Sequence, residues 1–233
     1  MSDRIALEMQ NVFVRYAASD FALQDVNLKV KQNDFYFLTG DSGAGKTTLL
    51  KLIYLHLKAQ SGKLKLFGND MSLVPRAELP FFKRRIGVVF QDYRLINHLS
   101  AFENVALPLV VSGVKEKEIK KQVSEMLDWV GLANFMHKTP RELSGGQQQR
   151  IAIARAVINK PDIIVADEPT GNVDAEMAKK LLHLFVEMNK QNTAIIIATH
   201  SQDLCAKFNF PRFHLEKGKL EILQPLGLEA MNG

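Results

Sequence analysis

Four short apolar runs punctuate this chain, and each gives way to a turn or a polar residue: "FYFLT" before Gly40, "IGVVF" before Gln91, "IIVA" before Asp167 and "AIIIAT" before His200. Continuous apolar runs of this length, separated by helical patterns, are what a parallel sheet covered on both faces requires. Ligands of open α/β sheets bind beyond the carboxyl ends of the strands. The four endings therefore predict that Gly40 to Thr47, Gln91, Asp167 with Glu168, and His200 share one sheet edge and one nucleotide site. The early stretch "IALEMQNVFVRYAASDFALQDVNLKV" differs, with two β-rich segments around a polar turn, and predicts an antiparallel sheet packed on the core. From about residue 92 to 158 the pattern is mainly helical and reads as an inserted lobe. Within it, Ile119, Val123, Met126, Leu127 and Val130 fall at helical spacing through "KEKEIKKQVSEMLDWV", whose mixed charges mark a solvated face. Residues 1–225 are expected to form one domain, followed by a short tail at 226–233.

The 233 residues and 46% hydrophobic composition suffice for a substantial core. No apolar run approaches the roughly 20 residues that cross a bilayer, and "MSDRIALEMQ" lacks the basic-then-apolar pattern of a signal peptide, so cytoplasmic residence is expected. The lone Cys205 excludes an internal disulfide. The six histidines, His56, His98, His137, His183, His200 and His214, show no close zinc-ligand spacing. A net charge of +5 and a pI near 9.2 are compatible with nucleic acid, lipid headgroups or phosphate-rich ligands and do not choose among them.

The choice comes from motifs. "GDSGAGKTT", comprising Gly40, Asp41, Ser42, Gly43, Ala44, Gly45, Lys46, Thr47 and Thr48, follows a predicted strand and opens the helical stretch "TTLLKLIYLHL". This is the context a P-loop needs: the glycines let backbone N–H groups converge on phosphate oxygens, Lys46 neutralises the outer phosphates, and the Thr47 hydroxyl suits Mg²⁺. Asp167 at its strand end is placed to hold Mg²⁺, and Glu168, one residue on, to polarise the attacking water. A lone histidine or glutamine at a strand end is more often structural. The shared placement of His200 and Gln91 favours contact with the γ-phosphate for the first, and with Mg²⁺ or the attacking water for the second. Tyr16 either packs in the core or stacks on adenine.

A second glycine turn stands in "LSGGQQQR". Ser144 is a natural cap for the helix through "GQQQRIAIARAV", and Gly145 and Gly146 leave its first N–H groups open to an anion, with Gln147 beside them. Two helix N-termini do not easily reach one γ-phosphate from one compact core, so this second hand is expected to belong to another subunit. A last candidate is "QDYRLINHLSAFENVALPL", where Tyr93, Leu95, Ile96 and Leu99 form an apolar set beside Gln91 that is either plain core or a docking surface for the membrane partner.

Taken in order, "GDSGAGKTT", Gln91, "LSGGQ", "IIVADEP", "GNVD" and His200 closely resemble the nucleotide-binding subunits of ABC transporters, over nearly the whole chain. The resemblance implies an α/β P-loop NTPase core of the RecA-like kind, with an N-terminal antiparallel β subdomain and an inserted helical subdomain. It also implies a head-to-tail dimer sandwiching two ATP molecules, each between the P-loop of one chain and the "LSGGQ" of the other. On that pattern Tyr16 is the adenine-stacking aromatic and Asp174 lies at the dimer interface. Several stretches look like the cell-division branch of the family. This implies a membrane partner of the FtsX type, with ATP-driven motion passed to enzymes that cut peptidoglycan. ATPases of lipoprotein-release or macrolide-export systems are the related alternative. Two departures are Gln147 where that branch usually has Glu and Ser201 where Asp is common. A DNA-repair or translation member would carry a coiled-coil insertion or tandem cassettes, for which the chain has no room, and a silent binding module would lose Lys46 or Glu168.

Overall fold

The computed structural model describes residues 4–16 and 21–225. The tail read at 226–233 and most of the turn at 16–20 lie outside the described residues. Along the chain come β1 (Ile5–Arg15), β2 (Phe21–Lys31), β3 (Phe35–Gly40), α1 (Lys46–Ile53), β4 (Ser61–Leu66), β5 (Asn69–Asp70), α2 (Leu79–Arg84) and β6 (Ile86–Val89). There follow α3 (Ala101–Val111), α4 (Glu116–Trp129), α5 (Gly145–Val157), β7 (Ile163–Asp167), α6 (Ala175–Lys190), β8 (Ala194–Ala198), α7 (Gln202–Phe208), β9 (Arg212–Glu216) and β10 (Lys219–Leu223).

The four apolar runs are β3, β6, β7 and β8, neighbours in a six-stranded sheet of order β10-β9-β3-β8-β7-β6. All four run parallel, in register through Phe35↔Ile195, Ile163↔Ala194 and Ile86↔Ile163. Why they read as unbroken apolar runs is visible in their burial. Ile163 and Val165 of β7, with Ala194 and Ile196 of β8, face one core; Ile164, Ala166, Ile195 and Ile197 face another. Both faces are covered, so alternation along the strand sorts residues between two cores rather than between core and water. The first core lies beneath a second sheet of order β2-β1-β4-β5, the expected antiparallel layer, and beneath α1. The second core is closed by Ile153 of α5 and by Leu181, Leu182 and Phe185 of α6.

Sequence reading missed the β9–β10 hairpin that extends the sheet past β3. Its strands bury at most alternate residues, and "KLEIL" buries none fully, so no apolar run announces it. The expected helix "TTLLKLIYLHL" is also shorter than read, ending at Ile53. Leu55 takes φ 57°, its N–H donates to the Leu52 carbonyl (3.1 Å), and His56 N–H donates to Lys51 (2.9 Å). This is a Schellman stop, in which Leu55 and Leu57 turn back to pack on the first core rather than continue the helix.

Between β6 and β7 the regular structure is helical. α4 buries Ile119, Val123 and Leu127 against Val105 and Leu109 of α3 and Ile151 and Ala154 of α5. Asn104, fully buried in α3, accepts from Ile96 N–H (2.8 Å) and donates to the carbonyls of Ile96, Leu99 and Ser100, fixing the strand-to-lobe connection.

Phe185 has no exposed surface and spans the second core between α6 and the sheet. Phe185→Ala is expected to cost about 3–5 kcal/mol, read as a lowered denaturant midpoint at unchanged m-value.

Candidate active site

The loop from Gly40 to Gly45 is clasped between the two sheets. Gly40 has φ 140° and Gly45 φ 111°, a region where side chains are strained. A Cβ at Gly40 would collide with the Leu215 carbonyl of β9, and one at Gly45 with the Ala22 carbonyl of β2. The bend therefore requires glycine for close approach as well as for torsion. Lys46 opens α1, is buried, and its ammonium donates to the carbonyls of Gly40 (2.6 Å) and Asp41 (3.0 Å), which holds the cation inside the curve of the loop. Tyr16 lies outside the core, 43% exposed just beyond β1, with its hydroxyl 3.4 Å from Thr48 Oγ1 in the first turn of α1.

Asp167 and Glu168 follow at the end of β7. Burial pushes the Asp167 carboxyl above the usual carboxylate range, opposed by the nearby charges of Lys46 and His200 and by a hydrogen bond from Thr47. Thr47, Gln91 and Asp167 line one cavity of about 410 Å³, with Tyr54 and Asp92. Glu168 sits at φ 47°, uncommon for a non-glycine residue. Its N–H donates to the Ala198 carbonyl at the end of β8 (3.0 Å), and its carboxylate accepts from Thr199 Oγ1 (3.2 Å) and His200 N–H (2.7 Å). The His200 Nε2 lies 3.9 Å from the same carboxylate, with the imidazole largely open to solvent. Gly40, Asp41 and His200 also line a common cavity with Thr39 and Thr199.

Ser144 caps α5 through a reciprocal box: Gln147 N–H donates to Ser144 Oγ (3.3 Å) and Ser144 N–H donates to Gln147 Oε1 (2.9 Å). The amide oxygen of Gln147 thus makes the contact a glutamate would make. Gly146 has a role beyond leaving the N-terminus open, because a Cβ there would stand 2.9 Å from the Asn172 carbonyl. Neither of the two cavities above contains any residue from Ser144 to Gln147. Asp174 is exposed and caps α6, accepting from Met177 N–H (2.9 Å).

Tyr93 and Leu95 of the apolar set beside Gln91 are half-buried. Leu95 packs on the helical core, and the half-buried Tyr93 directs its hydroxyl toward Gly145. Arg155 of α5 donates to the carbonyls of Tyr93 and Arg94 (2.8 Å each), two residues held at φ 59° and 48°. Of the large side chains in this set, Ile96 is open to solvent. Sequence reading also missed Gln149, which lies in α5 with 1% exposure and bonds to the Glu168–Asn172 turn. A glutamine in line with Ala152, Ile153 and Ala156 on an apolar helix face was the available signal.

Residues 23–171 match the ABC transporter family. The cell division ATP-binding protein FtsE of Escherichia coli K12 is 40% identical over 214 residues, covering 92% of this chain and 96% of that protein. FtsE of Haemophilus influenzae is 42% identical over 215 residues, covering 92% and 99%. Among solved structures, the dimeric ATP-binding cassette MJ0796, in a post-hydrolysis state bound to ADP and Pi, superposes with a TM-score of 0.88. It is 32% identical, and the match covers 95% of this chain and 100% of that one. The P-loop, the carboxylate pair and the capped glycine turn of α5 thus occur together in a chain that belongs to the ABC transporter family, as an FtsE-like ATP-binding subunit with ATPase activity.

Proposed function

We propose that the chain is the ATP-driven motor of a cell-division complex of the FtsE–FtsX type, on the cytoplasmic face of the inner membrane. In this reading ATP closes two copies head to tail, and the closure moves the membrane partner and thereby regulates peptidoglycan hydrolysis. The observation that carries the chemical half is the Glu168 carboxylate, aimed by Thr199 and the His200 N–H at the edge that also holds Lys46, Thr47 and Asp167.

The phosphates lie on the N–H groups of residues 41–48, with Lys46 redirected from its loop carbonyls to the outer phosphates. Tyr16, exposed beside α1, stacks on adenine. Among the described residues no cluster of three or more His, Cys, Asp or Glu could hold a metal. Instead the Thr47 hydroxyl, the Gln91 amide oxygen and the Asp167 carboxylate share one cavity, an oxygen set suited to Mg²⁺ completed by phosphate and water. Bound there, Mg²⁺ neutralises charge on the outer phosphates. Glu168 accepts a proton from water as the water oxygen bonds to the γ-phosphorus and the bond to the β-phosphate oxygen breaks, releasing ADP and phosphate. His200 hydrogen-bonds the γ-phosphate, and the partner copy closes the site with its turn at 144–147.

The membrane partner needs an accessible apolar seat, and Tyr93 and Leu95 are half-buried. Phe81 of α2 and Val111 of α3 are 54% and 62% exposed and line one cavity of about 360 Å³ between the sheet edge and the helical lobe. The two supply an apolar surface shared by α2 of the core and α3 of the lobe, whose spacing would change if lobe and core shifted relative to each other.

Glu168→Gln keeps shape and removes the base, so ATP affinity should hold while turnover falls by about 10² or more. Lys46→Ala should weaken binding itself. Equilibrium nucleotide binding beside steady-state hydrolysis separates the two, and near-normal turnover in Glu168→Gln removes Glu168 from the role.

For the docking surface, Phe81→Asp with Val111→Asp should leave folding and ATP affinity intact and abolish co-purification with the membrane partner. Wild-type recovery of the partner would place the seat elsewhere.

Asp167 supplies a signed pH test. A carboxyl whose folded pKa is raised binds its proton more tightly folded than unfolded, so its ionisation lowers stability as pH rises from the unfolded through the folded pKa. In EDTA and without nucleotide, Asp167→Asn should therefore melt above wild type at pH 7, the two curves converging as pH falls below the carboxylate range. A lower melting temperature for the variant at pH 7 would contradict this.

A further inference from the structure

The buried amide of Gln149 has both ends engaged on the turn that carries Glu168. Nε2 donates to the Glu168 carbonyl (3.0 Å), and Oε1 accepts from the Asn172 N–H (3.1 Å). One side chain of α5 therefore spans the turn from its first residue to its fifth. Glu168 holds φ 47°, a torsion that persists only where its surroundings determine it. Its carboxylate is aimed by Thr199 and His200, and its carbonyl is gripped from the opposite side by Gln149 and by the Gly171 N–H (3.2 Å). Rotation of that peptide would swing the carboxylate. A second contact lies one turn earlier on the same helix, where the absent side chain of Gly146 lets α5 rest against the Asn172 carbonyl.

From these contacts we infer that Gln149 is a positioning residue for Glu168, which makes the aim of the catalytic carboxylate depend on where α5 sits. The same helix begins at its N-cap, Ser144. In the head-to-tail arrangement proposed above, on which this inference rests, Ser144 touches the nucleotide held by the other copy. Engagement of one nucleotide by the Ser144 turn then sets the carboxylate that hydrolyses the other, and the two sites are coupled through a rigid element with a single polar clamp.

Gln149→Met preserves length and volume and removes both hydrogen bonds. Turnover should fall by about 10-fold or more, the scale of a displaced catalytic group, with ATP affinity within about twofold of wild type. Loss of ATP affinity in step with turnover would overturn the inference. Where Gln149→Met does not fold, Gln149→Glu, which keeps the acceptor for Asn172, carries the same measurements.

Two readouts distinguish positioning from a general structural role. In a Glu168→Gln background, the second substitution should change the residual turnover by less than about twofold, because the group it positions is already gone. A multiplied loss would overturn the inference. In mixed dimers, a Gln149→Met chain should regain activity with a Ser144→Arg chain, since one site then joins an intact Glu168 to an intact Ser144 turn. It should not regain activity with a Lys46→Ala chain. Any other pattern means that Gln149 acts on its own Ser144 turn or on both sites, and the inference fails. A Lys46→Ala chain mixed with a Ser144→Arg chain is the control: no recovery there removes the head-to-tail reading alone, and the Glu168→Gln background then decides Gln149.

Discussion

The active edge depends on the parallel pairing of β3, β8, β7 and β6. Parallel strands all present their carboxyl ends on one side, and the register Asp167↔Ala198 sets the end of β7 beside that of β8. This lets the Glu168 N–H reach the Ala198 carbonyl, and it brings Thr199 and the His200 N–H onto the Glu168 carboxylate. Residues 31 and 32 positions apart in sequence thereby become hydrogen-bonded neighbours. A slip of one residue would exchange the two buried faces and cost both cores, so the geometry of the site is held by the hydrophobic effect acting on the sheet.

Around this edge the backbone is bent where chemistry is expected. The P-loop adopts positive φ at glycines because carbonyls of both sheets close on it, whereas Glu168 adopts it with a full side chain and needs external support. That support comes largely from α5, whose Gln149 holds one strained turn and whose Arg155 holds another at Tyr93 and Arg94. Gln149 supplies a partner for the Asn172 N–H and a second donor for the Glu168 carbonyl, and Arg155 pairs the carbonyls of Tyr93 and Arg94. One helix therefore contacts both the turn after β7 and the connection after β6. Asp167 shows the accompanying cost: burial pushes its carboxyl above the usual carboxylate range, a desolvation that a bound cation would offset.

What the sequence determined by itself was local and periodic. Runs buried on both faces reveal parallel strands without an alignment, "GDSGAGKTT" between strand and helix permits little besides a phosphate loop, and the stripe from Ile119 to Val130 traced α4 nearly to its ends. These signals are carried by neighbouring residues, and steric rules translate them directly. Tertiary structure alone decided the rest. The β9–β10 hairpin has no apolar run because β9 buries only alternate residues and the edge strand β10 buries none fully, yet the Leu215 carbonyl of β9 is what demands glycine at position 40. Tyr93 and Leu95 left core and surface open in the sequence and are half-buried in the fold, since which side of a non-helical segment faces inward depends on the helices that cover it. Gln149 is a polar break in an apolar helix face that drew no reading; its partners lie 19 and 23 residues further along the chain, and only folding brings a buried donor and acceptor to them.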